Sequence, residues 1–508
     1  MANTHQQQKS WDVHGNGKIS KSSLKGHRAP VLCLDVSAPS WRSTNNDPLP
    51  SVSSSSLLLL SGSEDHTARL WDLREHNHKR RACLCIQTSG DVLSAVFAPP
   101  KRQSARCSSL LDVASTISQF AHDYTVYLGV ENTVLEYDLR HIQTPILQQS
   151  DATRDLGSIL QNQDEVNQIS MAYGTIKSPG KKKGGGGGGN KRGGKKRFSK
   201  SNSISDGSDN GSGDNDSHFM YLAACDDAGT IRFMTTDDQP SGSQTSTILH
   251  HDTNGVAVVP TCAFRPKPDS CRNVKSLGLE LASGGTDCKI HFWDLSKPKK
   301  PISSFTVDNK AMEEDTNSKP QVCNPPMVYS LTWSPTGKSL AAGFGDGSIG
   351  IFSIENRNLV QTGLLSENVH SSSVASVVYP SFSTSSAERV LCSAGSDGSI
   401  LFWDLGSCVT WNDDWGYNVE SKDSKDTIME LFANMQCSEG GTKAPSNLAD
   451  ANRSQHDSLG QPQVLFQIPH GQKINWITQA TSATNQADNN TIFVADTSAE
   501  ITSYTIPL

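Results

Sequence analysis

SGSEDHTARLWDL (61–73), SGGTDCKIHFWDL (283–295) and SAGSDGSILFWDL (393–405) align without a gap. Each has a serine, an aspartate four residues on, a tryptophan six residues after that, and then Asp-Leu. The same frame extends to four weaker copies: YLGVENTVLEYDL (127–139), AACDDAGTIRFMT (223–235), AGFGDGSIGIFSI (342–354) and VADTSAEITSYTI (494–506). Small residues ending one strand, a tight Asp/Gly turn, and alternating apolar positions ending on an aromatic describe a β-hairpin unit, so the chain carries seven of them.

A further strand-like run precedes each copy: 29–37, 91–99, 165–173, 258–266, 327–335, 373–381 and 473–481. Others lie between copies, as in CLCIQTS (83–89), TPILQQS (144–150), STILHH (246–251), PISSFTV (301–307) and VLFQIPH (464–470). Four strands in each of seven units is the arithmetic of an all-β, seven-bladed propeller. The blades are expected at about 24–90, 91–149, 164–250, 251–307, 325–364, 367–468 and 469–508, a single domain over 17–508. Each blade has one strand of TPILQQS type on its outside, so blade two should end on that segment.

The pattern resembles the WD-repeat family: Trp71-Asp72, Trp293-Asp294 and Trp403-Asp404 carry its dipeptide, and Gly26-His27 its usual leader. Tyr137, Phe233, Phe352 and Tyr504 stand where the other blades would have Trp, which keeps an aromatic filling but loses the indole N–H, except where a Tyr hydroxyl substitutes. Because the chain ends three strands into blade seven, the resemblance implies that a strand over 17–24 closes the ring, removing two sheet edges. It also implies a hydrogen-bond chain of Asp, His, Ser and Trp within a blade: His27, Ser61, Asp65 and Trp71; His251, Ser283, Asp287 and Trp293; His370, Ser393, Asp397 and Trp403. The same ingredients make nucleophilic triads, but a catalytic site would not be built three times round a ring, so the structural role is expected and no catalytic residue is.

Composition excludes other classes. No run of about 18 apolar residues exists to span a membrane, and MANTHQQQKSWDVHG lacks a secretory apolar core. The 12 cysteines include no C-x-x-C pair; Cys83 and Cys85 have no partners at zinc spacing, so no metal site and no cofactor are expected. Gly184–Gly189 neither follows a strand nor opens a helix and is no phosphate loop. The net charge of -7, from 45 basic and 52 acidic residues, argues against a whole-surface nucleic-acid binder.

Two features rise above the scaffold. Trp71-Asp72-Leu73-Arg74 is followed one blade later by Tyr137-Asp138-Leu139-Arg140. This is similar to the Asp-Trp-Asp (DWD) box with which WD-repeat substrate receptors dock on the DDB-type adaptor of cullin-4 ubiquitin ligases. The resemblance implies that these six residues bind that adaptor, the arginine forks reaching carboxylates or carbonyls of the partner; ordinary solvated turn arginines are the alternative. The second feature is an insertion over 175–217, expected to be disordered. It holds ten basic residues and no acidic one between 177 and 200, among them Lys181, Lys182, Lys183, Lys191, Arg192, Lys195, Lys196 and Arg197. A nuclear-import signal and a plain solubilising loop fit it equally; non-specific nucleic-acid contact fits less well, for lack of interleaved aromatics. Without that run the chain carries -17, so the propeller itself is acidic.

Another insertion, 411–462, places Ile428, Leu431, Phe432 and Met435 at helical spacing, a short amphipathic helix. Long extra segments fall between first and second strands or after a third strand, connections that emerge on one face together with Arg74 and Arg140. Stretches 26–37, 91–99, 256–266, 470–477 and 492–508 resemble one group within the family whose members are regarded as candidate cullin-4 receptors. The expectation is a non-enzymatic protein-binding scaffold of the nucleus or cytoplasm acting as such a receptor. A ligase-independent nuclear or chromatin-associated scaffold is the alternative.

Overall fold

The computed structural model describes residues 11–12, 18–37, 58–73, 82–99, 125–142, 144–174, 219–236, 246–252, 257–266, 279–307, 325–365, 369–380, 388–406, 462–480 and 490–506. The basic run 181–197, the apolar stripe 428–435 and Arg74 lie outside them.

Two strands come first in the chain, β1 (Trp11–Asp12) and β2 (Lys18–Lys25). Blade one is β3 (Val31–Val36), β4 (Leu58–Ser63), β5 (Thr67–Asp72) and β6 (Ala82–Gln87). Blade two begins with β7 (Val92–Phe97), β8 (Thr125–Val130) and β9 (Thr133–Asp138). The chain then makes β10 (Ile146–Gln148), β11 (Arg154–Asp155) and one helical turn, α1 (Gly157–Leu160). Blade three is β12 (Val166–Gly174), β13 (Phe219–Asp226), β14 (Thr230–Thr235) and β15 (Thr247–His250). Blade four is β16 (Thr261–Phe264), β17 (Glu280–Gly284), β18 (Lys289–Asp294) and β19 (Ser303–Thr306). Blade five is β20 (Val328–Trp333), β21 (Ser339–Phe344), β22 (Ile349–Glu355) and β23 (Asn358–Leu365). Blade six is β24 (Val374–Val378), β25 (Val390–Gly395), β26 (Ser399–Asp404) and β27 (Gln463–Pro469). Blade seven is β28 (Ile474–Gln479), β29 (Thr491–Asp496) and β30 (Glu500–Thr505), completed by β2 and flanked by β1.

First strands touch first strands all the way round: β3 with β7, β7 with β12, β12 with β16, β16 with β20, β20 with β24, β24 with β28, and β28 with β3. The ring is therefore a closed seven-bladed propeller. Its middle strands are sandwiched between neighbouring blades on both sides, so β4, β8, β17, β21 and β25 are buried at every position. Such strands read as continuous small and apolar runs, LLLSGS in β4 and SLAAGF in β21, whereas outer strands such as β6 and β19 are only partly covered and alternate.

Closure is made by β2, antiparallel to β30 from Ser20↔Thr505 to Lys25↔Glu500. Leu24 is its anchor, 1% exposed and packed with Leu34, Leu59, Trp71, Phe493 and Ile501. Burying one such leucine stabilises by about 1.5–3 kcal/mol, and the pairing satisfies the outer edge of β30.

At several junctions, side chains of the first strands stitch one blade to the next by accepting backbone N–H groups. Ser94 takes that of Ile169 (2.9 Å), Thr261 that of Leu331 (3.2 Å) and Ser330 that of Val377 (3.1 Å). Between blades one and two the acceptor is a carboxylate, Asp35, which takes the N–H of Phe97 at 2.8 Å and of Val36 at 2.9 Å. Burial raises the Asp35 carboxyl to about 7 in spite of those two donors.

One strand is misplaced by the sequence reading. TPILQQS does not form the outside of blade two: β10 runs parallel to β6 as a fifth strand of blade one, in register Ile146↔Cys85 to Gln148↔Gln87. A 3-10 turn at Leu139–His141 redirects the chain after β9, and blade two takes the two-residue β11 on its outside instead. There Arg154 pairs with the buried Glu136 at 2.5 Å and donates to the carbonyl of Thr236 in blade three at 2.8 Å. Blades one and two are thus tied together by β10, which leaves blade two to pair with β6 before β11 returns to β9.

Candidate functional site

The repeated polar set assembles in all three blades. In blade one His27 Nδ1 meets Asp65 at 3.0 Å and Nε2 meets Ser61 Oγ at 2.8 Å, while the Trp71 indole donates to the same hydroxyl at 2.9 Å. Blade six repeats it: His370 to Asp397 at 3.1 Å and Ser393 at 2.9 Å, Trp403 to Ser393 at 3.0 Å. Blade four has the ring reversed, His251 Nδ1 on Ser283 at 2.8 Å and Nε2 on Asp287 at 3.3 Å. The leader glycine matters here: a Cβ on Gly26 would lie 2.9 Å from the Trp71 ring.

Burial opposes charge on Asp65, but hydrogen bonds from His27 and Thr67 outweigh it and hold the carboxyl well below the usual range. Asp287 and Asp397 are held down in the same way. Desolvation meanwhile lowers His27, so the contact is a neutral imidazole N–H donating to a carboxylate. Ser61, Ser283 and Ser393 are 0% exposed and already accept an indole N–H. A hydroxyl so enclosed cannot reach a substrate; it fixes the loop carrying the histidine onto its blade.

Blade seven holds a fourth version that the alignment did not find. His470 Nε2 meets Asp496 at 2.6 Å and Nδ1 meets the Tyr504 hydroxyl at 2.9 Å. The phenol does the work of serine and indole together. The signal was Tyr504 at the tryptophan position with a histidine ahead of the blade.

The dipeptide aspartates hold arginines. Tyr137 is buried, and Asp138 caps the 3-10 turn by accepting the N–H of Arg140. The Arg140 guanidinium lies back on the same carboxylate, its Nε 2.9 Å from Oδ1, with Nη2 on Oδ2. Its side chain is 32% exposed. Asp294 takes Arg357 of blade five at 2.7 Å and Asp404 takes Arg389 at 2.5 Å. Arg140 therefore sits at the expected face but oriented by its own aspartate rather than extended outward. In blade one Trp71 is buried and Asp72 half-buried.

Antiparallel pairing within each blade puts first-to-second and third-to-fourth strand connections on one face, where Arg140 lies, and hairpin turns with inter-blade connections on the other. The exposed side chains on that second face include Glu64, Asp91, Glu131, Asp164, Glu165 and Asp346, with Arg28, Lys473 and Lys25, the last paired with Glu500, among the basic members. Among the described residues, acidic side chains thus outnumber basic ones on the hairpin face. Its turns also require a left-handed residue after the aspartate: Gly347 and Gly398 supply it, whereas His66 (φ 58°) and Cys288 (φ 61°) adopt it without being glycine. Among the described residues, no helix is long and apolar enough to cross a membrane.

Comparison with known proteins agrees with this geometry. The family of the WD domain, G-beta repeat, matches residues 18–72 and 362–404, and the WD40 domain of anaphase-promoting complex subunit 4 matches 319–381. The chain is 22% identical to the WD repeat-containing protein 53 homolog of Dictyostelium discoideum over 492 residues, 95% of this chain and 93% of that protein. A shorter similarity, 28% over 134 residues, covers 26% of this chain and 9% of protein transport protein SEC31 of Saccharomyces cerevisiae.

Proposed function

This chain belongs to the WD-repeat family, and on that premise we propose that it is a substrate receptor of a cullin-4 ubiquitin ligase, a protein-interaction scaffold that performs no chemistry of its own. The reading rests most on the consecutive Trp/Tyr-Asp-Leu-Arg segments, which bring Arg140, and with it the end of β5 before Arg74, to one face of adjacent blades. An arginine held bidentate by Asp138 is pre-oriented, so less side-chain freedom is lost when a partner carbonyl or carboxylate engages it. The adaptor takes this face and a substrate takes the other. The acidic rim of Glu64, Asp91, Glu131, Asp164 and Glu165 selects a substrate segment rich in lysine or arginine.

Pull-down of the cullin-4 adaptor with the wild-type chain and with Arg74→Ala/Arg140→Ala tests the docking. Capture by the wild type and its loss in the double variant are expected; no capture by the wild type, or equal capture by both, sinks the receptor reading. The same acidic rim also favours a second reading, a ligase-independent nuclear scaffold for basic partners, which survives that failure.

A further inference from the structure

Blade four carries a second histidine in its interior, which blades one and six lack. Ser61 faces Arg69 across the hairpin, Ser393 faces Leu401, and Ser283 faces a second histidine, His291. His291 is 7% exposed, and its ring centroid lies 4.3 Å from that of His251. Nε2 donates to the His251 carbonyl at 3.0 Å, which commits the ring's only proton in its neutral form. Nδ1 is left as a buried lone pair with no hydrogen-bond partner. Leaving a buried acceptor unmatched costs roughly 1–3 kcal/mol, and nothing in the blade network requires it.

One nitrogen of each ring and one oxygen of Asp287 lie within 4.8 Å of one another. His251 Nε2 and Asp287 Oδ1 are 3.3 Å apart, about the edge of a tetrahedron whose metal–ligand bonds are about 2.0–2.1 Å. We propose that His251, Asp287 and His291 form a binding site for a zinc-class divalent cation, in which the ion takes the place of the His251–Asp287 hydrogen bond.

The outer shell is already set. The His291 N–H is fixed on a backbone carbonyl, the second-shell arrangement typical of metal-bound imidazole. When the ion takes His251 Nε2, the proton moves to Nδ1, where Ser283 Oγ, 2.8 Å away, accepts it while still accepting the Trp293 indole on its other lone pair. With its N–H committed to the His251 carbonyl, His291 has the unpartnered Nδ1 lone pair to offer. Asp287 stays ionised. Its Oδ1 also accepts the Lys289 N–H at 3.1 Å, and the Lys289 ammonium sits on Oδ2 at 2.9 Å. That lysine side chain is 41% exposed and can turn to solvent when a cation arrives. Two imidazoles and one carboxylate leave a fourth position for water, and this donor set favours Zn²⁺ over Mg²⁺ or Ca²⁺. The site would pin the loop of His251 to the Asp287 hairpin more firmly than the hydrogen bond does.

The test is calorimetric titration of Zn²⁺ into the full chain after chelator treatment, beside His291→Leu, which copies Leu401 of blade six. Binding of one equivalent and an affinity at least tenfold weaker in the variant are expected. No binding by the wild type, or unchanged affinity in a variant that circular dichroism finds folded, overturns the site. Should the variant not fold, Co²⁺ titration of the wild type decides. Intense visible bands of low-coordinate cobalt, bleached by one equivalent of Zn²⁺, support it, and only the pale spectrum of the hydrated ion refutes it.

Discussion

Asp35 is the one carboxylate among the described first-strand side chains that stitch blade to blade, and its replacement by asparagine shifts stability in the variant's favour as pH rises. The carboxyl is raised by burial to about 7 in the folded chain, against about 3.9 unfolded. A raised acid favours the fold while it is protonated. Its contribution is therefore complete below about pH 4 and is lost as pH climbs to about 7. At about 1.4 kcal/mol per unit, the loss between pH 5 and pH 8 is on the order of 3 kcal/mol. The amide side chain of the Asp35→Asn variant never ionises; its one carbonyl oxygen takes the Phe97 N–H, while the Val36 N–H, which wild type gives to the other carboxylate oxygen, loses that acceptor at every pH. Guanidinium unfolding followed by tryptophan fluorescence, at pH 5 and pH 8, should shift the midpoint of the variant relative to wild type in the variant's favour between pH 5 and pH 8. A difference independent of pH, or one that moves in favour of wild type at pH 8, would refute the placement of Asp35 in a desolvated inter-blade seam.

Leu24→Ala should destabilise by about 2–5 kcal/mol, the cost of a cavity at a fully buried leucine, and thermal melting measures it; a loss below about 1 kcal/mol would mean that β2 does not seal the ring. Tyr504→Phe leaves His470 Nδ1 without its partner in a buried site and should cost about 1–3 kcal/mol. Hydrogen exchange should find the loosening at the hairpin between β29 and β30 and in the connection before β28, not in blade two.

Much of this fold could be read from spacing because the repeat couples local and tertiary demands. An aspartate for the turn, a serine ten residues before the tryptophan, and an aromatic between strands satisfy the blade and its neighbours at once, so seven-fold recurrence revealed the architecture. The outer strands carry less information. TPILQQS alternates as well as CLCIQTS does, and nothing local says that it will lie parallel to blade one rather than antiparallel in blade two. That depends on the 3-10 turn after Asp138 and on Arg154 finding Glu136, a contact between residues 18 apart. The Arg140 clamp was hidden similarly: the Asp-x-Arg spacing permits either an outward fork or one folded onto its own aspartate, and the turn decides. His251 and His291, 40 residues apart, match no metal-ligand spacing and meet because the connection carrying His251 is held on Ser283, which faces His291 across the hairpin.

The receptor reading is tested most directly by the equilibrium affinity of the purified chain for the cullin-4 adaptor, wild type beside Arg74→Ala/Arg140→Ala. Specific binding by the wild type, weakened at least tenfold in a folded double variant, is the predicted result. Equal affinity in the two, or none in the wild type, would contradict docking through the arginine face.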